Sequence, residues 1–157
     1  RKRIGDWEVD TMLGKQQKHA MLILTERKSR FTLIGKVSRR TARAVRRQVC
    51  RLLLPIQDKV HTLTSDHGKE FAEHELIAET LQLQFYFAHP YAAWERGTNE
   101  NTNGLLRQYF PKKSDFKTIS NKKIEQTTSK LTFRPRKTLR FKTPFEVFYH
   151  TTVALTT

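Results

Sequence analysis

Polar and apolar positions alternate from Asp6 to Leu13, with Asp6, Glu8, Asp10 and Met12 facing one way and Trp7, Val9, Thr11 and Leu13 the other. That period of two predicts a strand over Trp7 to Leu13. Ala20 to Thr25 is an apolar run and Phe31 to Val37 is rich in β formers. These predict two more strands, with Glu26 to Arg30 as the turn between them. The period then changes. Thr41 stands as an N-cap, and Ala42, Val45, Val49 and Leu52 recur at helical spacing until Pro55 stops the helix. Arg43, Arg47 and Arg51 form a basic stripe on another face of it. Val60 to Ser65 predicts a fourth strand running into Ser65-Asp66-His67-Gly68, Ala72 to Leu81 a second helix, and Gln84 to Ala88 a fifth strand. After a loop from His89 to Gly97, a third helix is expected over Asn99 to Tyr109 and a polar one over Asn121 to Leu131. A basic extended segment, Arg134 to Lys142, then leads into a short helix around Pro144 to Tyr149. The order βββαβαβα predicts an α/β domain with helices on both faces of a mixed sheet.

The 157 residues suit a single domain, and 37% of them are apolar. A domain of this size buries roughly 68–70% of its unfolded surface without help from disulfides or structural metal. The lone Cys50 excludes an internal disulfide framework and a multi-cysteine zinc site, and its place in the first helix reads as packing. The longest apolar runs, Ala20 to Leu24 and Leu52 to Ile56, fall far short of the ~20 residues of a membrane span. No apolar stretch follows Arg1-Lys2-Arg3. A soluble, intracellular protein without a membrane partner is expected.

Charge narrows the class of partner. The chain carries 30 Lys and Arg against 15 Asp and Glu, a formal charge of +15. From Asn101 onward 12 basic residues face only Asp115, Glu125 and Glu146. So uneven a field favours a polyanion, of which nucleic acid is the commonest, although a solubilising surface has the same composition.

Against that excess the few acids are informative. Asp10 lies inside an otherwise apolar strand, where a carboxylate is costly unless paired or bound to metal. Asp66 falls where a strand meets a glycine-containing turn, and Glu100 near the start of the third helix among Asn99, Asn101 and Asn103. Taken singly, Asp66 reads equally as a turn former and Glu100 as a solvated helix residue. Taken together, three carboxylates from separate elements suit hard divalent cations. Zinc is disfavoured because the six histidines are dispersed.

Several stretches carry a family likeness: Ile4-Gly5-Asp6-Trp7-Glu8-Val9-Asp10, Glu26-Arg27-Lys28-Ser29-Arg30-Phe31 and Thr64-Ser65-Asp66-His67-Gly68-Lys69-Glu70-Phe71. The longest runs from Pro90-Tyr91-Ala92-Ala93-Trp94 to Glu100-Asn101-Thr102-Asn103-Gly104-Leu105 and on to Pro111. Arg134-Pro135-Arg136-Lys137 and Lys142-Thr143-Pro144 complete it. In these residues the chain resembles the DDE transposases, and among them the insertion-sequence-thirty family, over nearly its whole length. The resemblance implies a ribonuclease-H-like, integrase-type fold: a mixed five-stranded sheet flanked by helices, with a basic C-terminal helical and extended appendage. It implies one catalytic core domain over 1–157, the core at about 4–113 and the extension at about 114–157. It puts the catalytic, metal-binding triad on Asp10, Asp66 and Glu100, with 33 residues between the last two. Glu70 and Glu95 are rival acids that the motif disfavours. Departures from the family pattern include Asp6, Val9, His67, His89, Thr132-Phe133 and Arg140. Such transposases carry an N-terminal helix-turn-helix region, which this chain lacks, so an excised core or truncated product is expected.

The function implied is metal-dependent cutting of DNA and transfer of its 3′-ends, with two Mg²⁺ or Mn²⁺ ions expected when DNA is bound. Arg107, seven positions after Glu100 and on nearly the same helical face, together with Lys112 and Lys113, is expected to contact DNA near the reacting phosphate. Arg134, Arg136, Lys137 and Arg140 would hold flanking duplex, setting position without reading sequence. The implied partners are element ends, target DNA and further copies of the chain on DNA, in the bacterial cytoplasm at the nucleoid. Two other readings share the fold: a decayed, non-catalytic DNA-binding module and a structure-specific nuclease. Trp7 and Trp94 are more readily core or loop anchors than base-stacking groups.

Overall fold

Strand β1 (Asp6–Leu13) is the axis of the molecule. The computed structural model describes residues 2–92 and 97–152. β1 pairs antiparallel with β2 (Ala20–Glu26), which pairs antiparallel with β3 (Thr32–Val37). On its other side β1 pairs parallel with β4 (Thr62–Ser65), and β4 parallel with β5 (Gln84–Phe87). The sheet order is β3-β2-β1-β4-β5, the mixed five-stranded sheet that the sequence predicted.

The alternation in β1 sorts the two faces. Trp7 and Val9 enter one core with Leu22, Leu24 and Leu63, and helix α1 (Ala42–Leu53) seals it with Val45, Val49 and Leu53. Helix α2 (His74–Leu81) adds Ile77 and Leu81. Met12 enters the other core with Met21, Ile23 and Ile34. There it meets Leu106 of α3 (Gly97–Leu106) and Ile124 and Leu131 of α4 (Asn121–Thr132). Burial of side chains this size contributes about 1.5–3 kcal/mol each, so both helical layers are held mainly by apolar area. Among the described residues, no helix is long and apolar enough to cross a membrane.

The stretch beyond residue 113 packs into both cores. Phe116, Ile124 and Leu131 fill the α3–α4 side. Phe148 of α5 (Pro144–Tyr149) stacks on Phe31 at 4.3 Å and meets Trp7 edge-on at 5.7 Å. Trp7 is wholly buried and its Nε1 donates to the Lys59 carbonyl at 2.9 Å, so it is a core residue.

Thr41 caps α1 as expected, its hydroxyl accepting from the Ala44 amide at 3.1 Å. Cys50 is buried inside α1, and burial pushes its thiol pKa up, as suits a packing residue. Two expectations need correction. The third helix closes at Leu106, where the amides of Tyr109 and Phe110 both turn back onto the Leu106 carbonyl. Arg134 to Lys142 is not extended. It folds back on itself, with Arg136 bridged to Lys142 and a tight turn over Lys137–Leu139 that leaves Arg140 at φ +54° and Phe141 at φ +66°.

Candidate active site

β1 and β4 run parallel and in register, Glu8 opposite Thr64, so Asp10 and Asp66 stand at the same level two residues beyond that pair. Asp66 directly follows the last residue of β4, and Asp10 lies beside it within β1, toward the C-terminal edge of the parallel pair, where open α/β sheets present ligand-binding crevices. Backbone amides fix both carboxylates: Asp10 Oδ1 accepts from the Thr11 amide at 2.9 Å, and Asp66 Oδ1 from the Gly68 amide at 2.9 Å. The second bond makes the Asp66 turn a side-chain-closed one, which is why an aspartate follows the strand here.

Helix α3 brings in Glu100 from its first turn. Glu100 is exposed and lines one groove with Asp66, His67, His89 and Tyr91. One helical turn on, Asn103 Nδ2 donates to Asp10 Oδ2 at 3.0 Å. Thus α3 bonds Asp10 through Asn103 and faces Asp66 across the groove from Glu100. Among the described residues no three His, Cys, Asp or Glu side chains stand close enough to hold a metal ion together. The donor set is nonetheless all oxygen and opens to solvent, as magnesium or manganese requires.

The turn that carries Asp66 is tied down from beneath. Glu70 is 5% exposed, and its Oε1 accepts from Thr11 Oγ1 at 3.2 Å and from Arg40 Nη2 at 3.0 Å. A Cβ on Gly68 would sit 2.3 Å from Glu70 Oε2, so a larger residue there would have to push this carboxylate aside. Burial works to raise the Glu70 pKa, but hydrogen bonds from its own amide, Arg40 and Thr11, with the Arg40 charge, outweigh it and hold the pKa below its ordinary value. Between the sheet and α3 lies a buried polar layer. Glu8 and Thr25 are both wholly buried there, and Thr25 Oγ1 donates to Asn99 Oδ1 at 3.3 Å.

The residues expected to bind DNA divide into two groups. Lys112 and Lys113 are exposed next to Ser114, whose carbonyl accepts from the Lys15 amide at 2.7 Å just beyond β1, at the same end as Asp10. Arg107 is half-buried, donating to the Leu13 carbonyl at 3.3 Å and the Phe110 carbonyl at 3.5 Å, and burial lowers its pKa. Arg134, Lys137 and Arg140 are exposed at the other end of the sheet. Arg136 marks that location: its pKa is lowered by burial first, then by the charges of Arg134 and of Arg30 in the β2–β3 turn. Its Nη2 donates to the Leu131 carbonyl at 3.0 Å, a structural bond. Trp94 and Glu95 lie outside the described residues.

Sequence reasoning gave Asn103 no role and set Glu70 aside as a rival acid. The signal for Asn103 was its i+3 spacing from Glu100. For Glu70 the cue was an acid two residues past the glycine of the Asp66 turn. His67 reads as a surface ring, exposed and stacked on Phe87 at 5.0 Å.

Comparison with known proteins follows the same lines. The integrase core domain family model matches residues 1–93. The transposase for insertion sequence element IS4351 of Bacteroides fragilis is 47% identical over 148 residues, 94% of this chain and 45% of that protein. Transposase InsI for insertion sequence element IS30A of Escherichia coli K12 is 38% identical over 148 residues, 94% of this chain and 38% of that protein. The chain therefore spans less than half the length of these curated relatives. The HTLV-2 integrase catalytic core domain, solved in complex with magnesium in a trimeric form, is similar in fold, with a TM-score of 0.69. The two are 15% identical, over 93% of this chain and 97% of that one.

Proposed function

The chain belongs to the integrase core domain family, and on that premise we propose that it is the catalytic core of a DNA transposase. It cuts DNA at the end of an insertion element and joins the freed 3′-end to a target strand. The observation that carries this reading is Asp10 in β1 and Asp66 just past the end of the parallel strand β4, with Asn103 of α3 bonded to Asp10 and Glu100 of α3 sharing a groove with Asp66.

Asp10, Asp66 and Glu100 would hold Mg²⁺ or Mn²⁺, two ions when DNA is bound. When bound, such ions activate an attacking oxygen and stabilise a leaving one. The chain's own residues prepare the site. Asn103 and the Thr11 amide orient Asp10, the Gly68 amide orients Asp66, and Glu70 fixes that turn against β1. In the first step a water oxygen bonds to phosphorus as the phosphorus–3′-oxygen bond breaks, leaving a 3′-hydroxyl and a 5′-phosphate. In the second, that 3′-hydroxyl attacks a target phosphorus, a target 3′-oxygen leaves and takes up the proton released, and no covalent enzyme intermediate forms.

Lys112 and Lys113 are available for phosphates near the reacting centre, with Arg107 joining them through the N–H groups not spent on carbonyls. Arg134, Lys137 and Arg140, braced by Arg136, hold duplex further away. Self-association on paired element ends belongs to the same reading, as does action at the bacterial nucleoid. The test is a pair of assays with Mn²⁺, cleavage of an intact element end and joining of a pre-cut one. Wild-type protein is expected to do both and Asp66→Asn neither. Cleavage without joining would assign a structure-specific nuclease instead, and DNA binding untouched by metal with neither reaction would assign a non-catalytic module.

A further inference from the structure

Six arginines and no acid occupy the thirteen residues from Arg39 to Arg51. Two of the six are neutralised, Arg40 by Glu70 at 3.0 Å and Arg46 by Glu73 at 3.1 Å. The other four, Arg39, Arg43, Arg47 and Arg51, are exposed and form no ion pair among the described residues. Among the described residues, Arg51 donates to its neighbour Gln48 and to no acid. Arg43, Arg47 and Arg51 follow one another at four-residue steps on the side of α1 turned away from Val45, Val49 and Leu53.

This arrangement is unfavourable in the free protein. Like charges four residues apart on a helix repel. Arg43 also stands in the first turn, at the positive end of the helix dipole, where no acid offsets it. A merely solubilising face would intersperse both signs. Guanidinium is moreover the group whose planar fork matches phosphate.

We propose that Arg43, Arg47 and Arg51, led by Arg39, form a track for the phosphate backbone of duplex DNA, separate from the C-terminal basic cluster. A helix rises about 1.5 Å per residue, so Arg43 to Arg51 spans about 12 Å. Each strand of a duplex carries one phosphate per ~3.4 Å of helix axis, so a stretch of that length offers phosphates within reach of the guanidiniums. The track begins at the catalytic edge: Arg40, beside Arg39, pairs with Glu70, and Glu70 bonds Thr11, the neighbour of Asp10. It then runs along α1, on the face of the sheet opposite α3. Identifying the polyanion as DNA rests on the transposase reading. The track itself is a claim about binding alone.

The experiment measures affinity of the 157-residue chain for duplex DNA against salt, in EDTA, so that catalysis plays no part. Each phosphate contact contributes about 0.9 to the slope of log K against log salt. The triple variant R43Q/R47Q/R51Q is expected to lower that slope by about 2–3 and to weaken binding at least about tenfold near 0.1 M salt, with an unchanged or raised melting temperature. The triple Arg→Lys variant, which keeps the charge, should retain most of the slope. An unchanged slope in the Gln variant overturns the track, as does a Lys variant that loses as much as the Gln variant. Comparing a linear duplex bearing a pre-cut 3′-end with a closed circle identifies the source: a larger loss on the first assigns element DNA, on the second target DNA. An intact slope change in a protein that neither cleaves nor joins DNA overturns the catalytic reading and leaves the track standing.

Discussion

Asn103 Nδ2 donates to Asp10 Oδ2 at 3.0 Å across 93 residues of chain. The helix that carries Glu100 is therefore also the element that orients Asp10, so a shift of α3 moves two of the three proposed carboxylates at once. The amide must present its nitrogen to Asp10, because a carboxylate only accepts. Its oxygen is left buried, with no hydrogen-bond partner among the described residues. Leaving such an atom unpaired costs about 1–3 kcal/mol, a cost the position bears while Asn103 serves Asp10.

Asn103→Ala should therefore leave the fold intact and impair the chemistry. Losing a group that orients a metal ligand typically costs about 10–100-fold in metal affinity or activity. The expected result is a loss of that size in joining rate, partly restored by raising Mn²⁺. A joining rate and Mn²⁺ dependence equal to wild type would assign Asn103 to packing alone.

If Asp10, Asp66 and Glu100 hold divalent ions, those ions stabilise the folded chain by mass action. At an ion concentration ten times the dissociation constant, the gain is about 1.4 kcal/mol. For a domain of this size that raises the melting temperature by about 3–6 °C. Asp10→Asn should abolish the rise. Equal melting of wild type and variant in millimolar Mn²⁺ would count against an ion at these residues.

Much of this was legible in the sequence because it is local. The alternation in β1, the cap at Thr41 and the stop near Pro55 each depend on neighbours within a few residues, and the structure reproduces them. Helix ends were less legible: α3 closes early because Phe110 turns in to the core, a tertiary effect. The Arg134–Lys142 loop was misread because its basic composition suggests extension, whereas two left-handed residues and the Arg136–Lys142 bridge fold it back. In the site, Asp10 and Asp66 stood out as acids at strand positions. Asn103 and Glu70 did not, because their partners, Asp10 and Thr11, lie 93 and 59 residues away.

The family resemblance gave the expectation of a glycine where Arg140 stands, and the backbone here is one that glycine adopts without strain. At φ +54°, ψ +43° it occupies the left-handed region, where a side chain costs roughly 1–2 kcal/mol and glycine costs nothing sterically. Arg140→Gly should raise stability by up to about 1 kcal/mol once glycine's larger unfolded-state entropy is counted. The same change removes one charge from the C-terminal cluster, so DNA binding should weaken while the melting temperature rises. Denaturant midpoints and salt-dependent binding measured on one preparation separate the two effects. A lower midpoint would contradict the strain.

Glu70 gives the fold a definite acid sensitivity. Its carboxyl sits below its ordinary value of 4.5 because the hydrogen bonds from its own amide, Arg40 and Thr11, with the Arg40 charge, outweigh burial, so the unfolded chain binds this proton more tightly than the folded one. The stability it contributes is therefore complete above about pH 4.5 and is lost as pH falls through the lower, folded value. Glu70→Gln should cost about 1.5–3 kcal/mol at pH 7, nearer the lower end because Arg40 is 40% exposed. The gap between variant and wild type should then narrow steadily below pH 4.5. Urea unfolding from pH 3 to 8 measures it, and a gap constant across that range would mean that Glu70 holds the turn by shape, not by charge. The joining assay adds an independent readout. If the charge seats the Asp66 turn against β1, Glu70→Gln slows joining at neutral pH even at temperatures where the variant is fully folded.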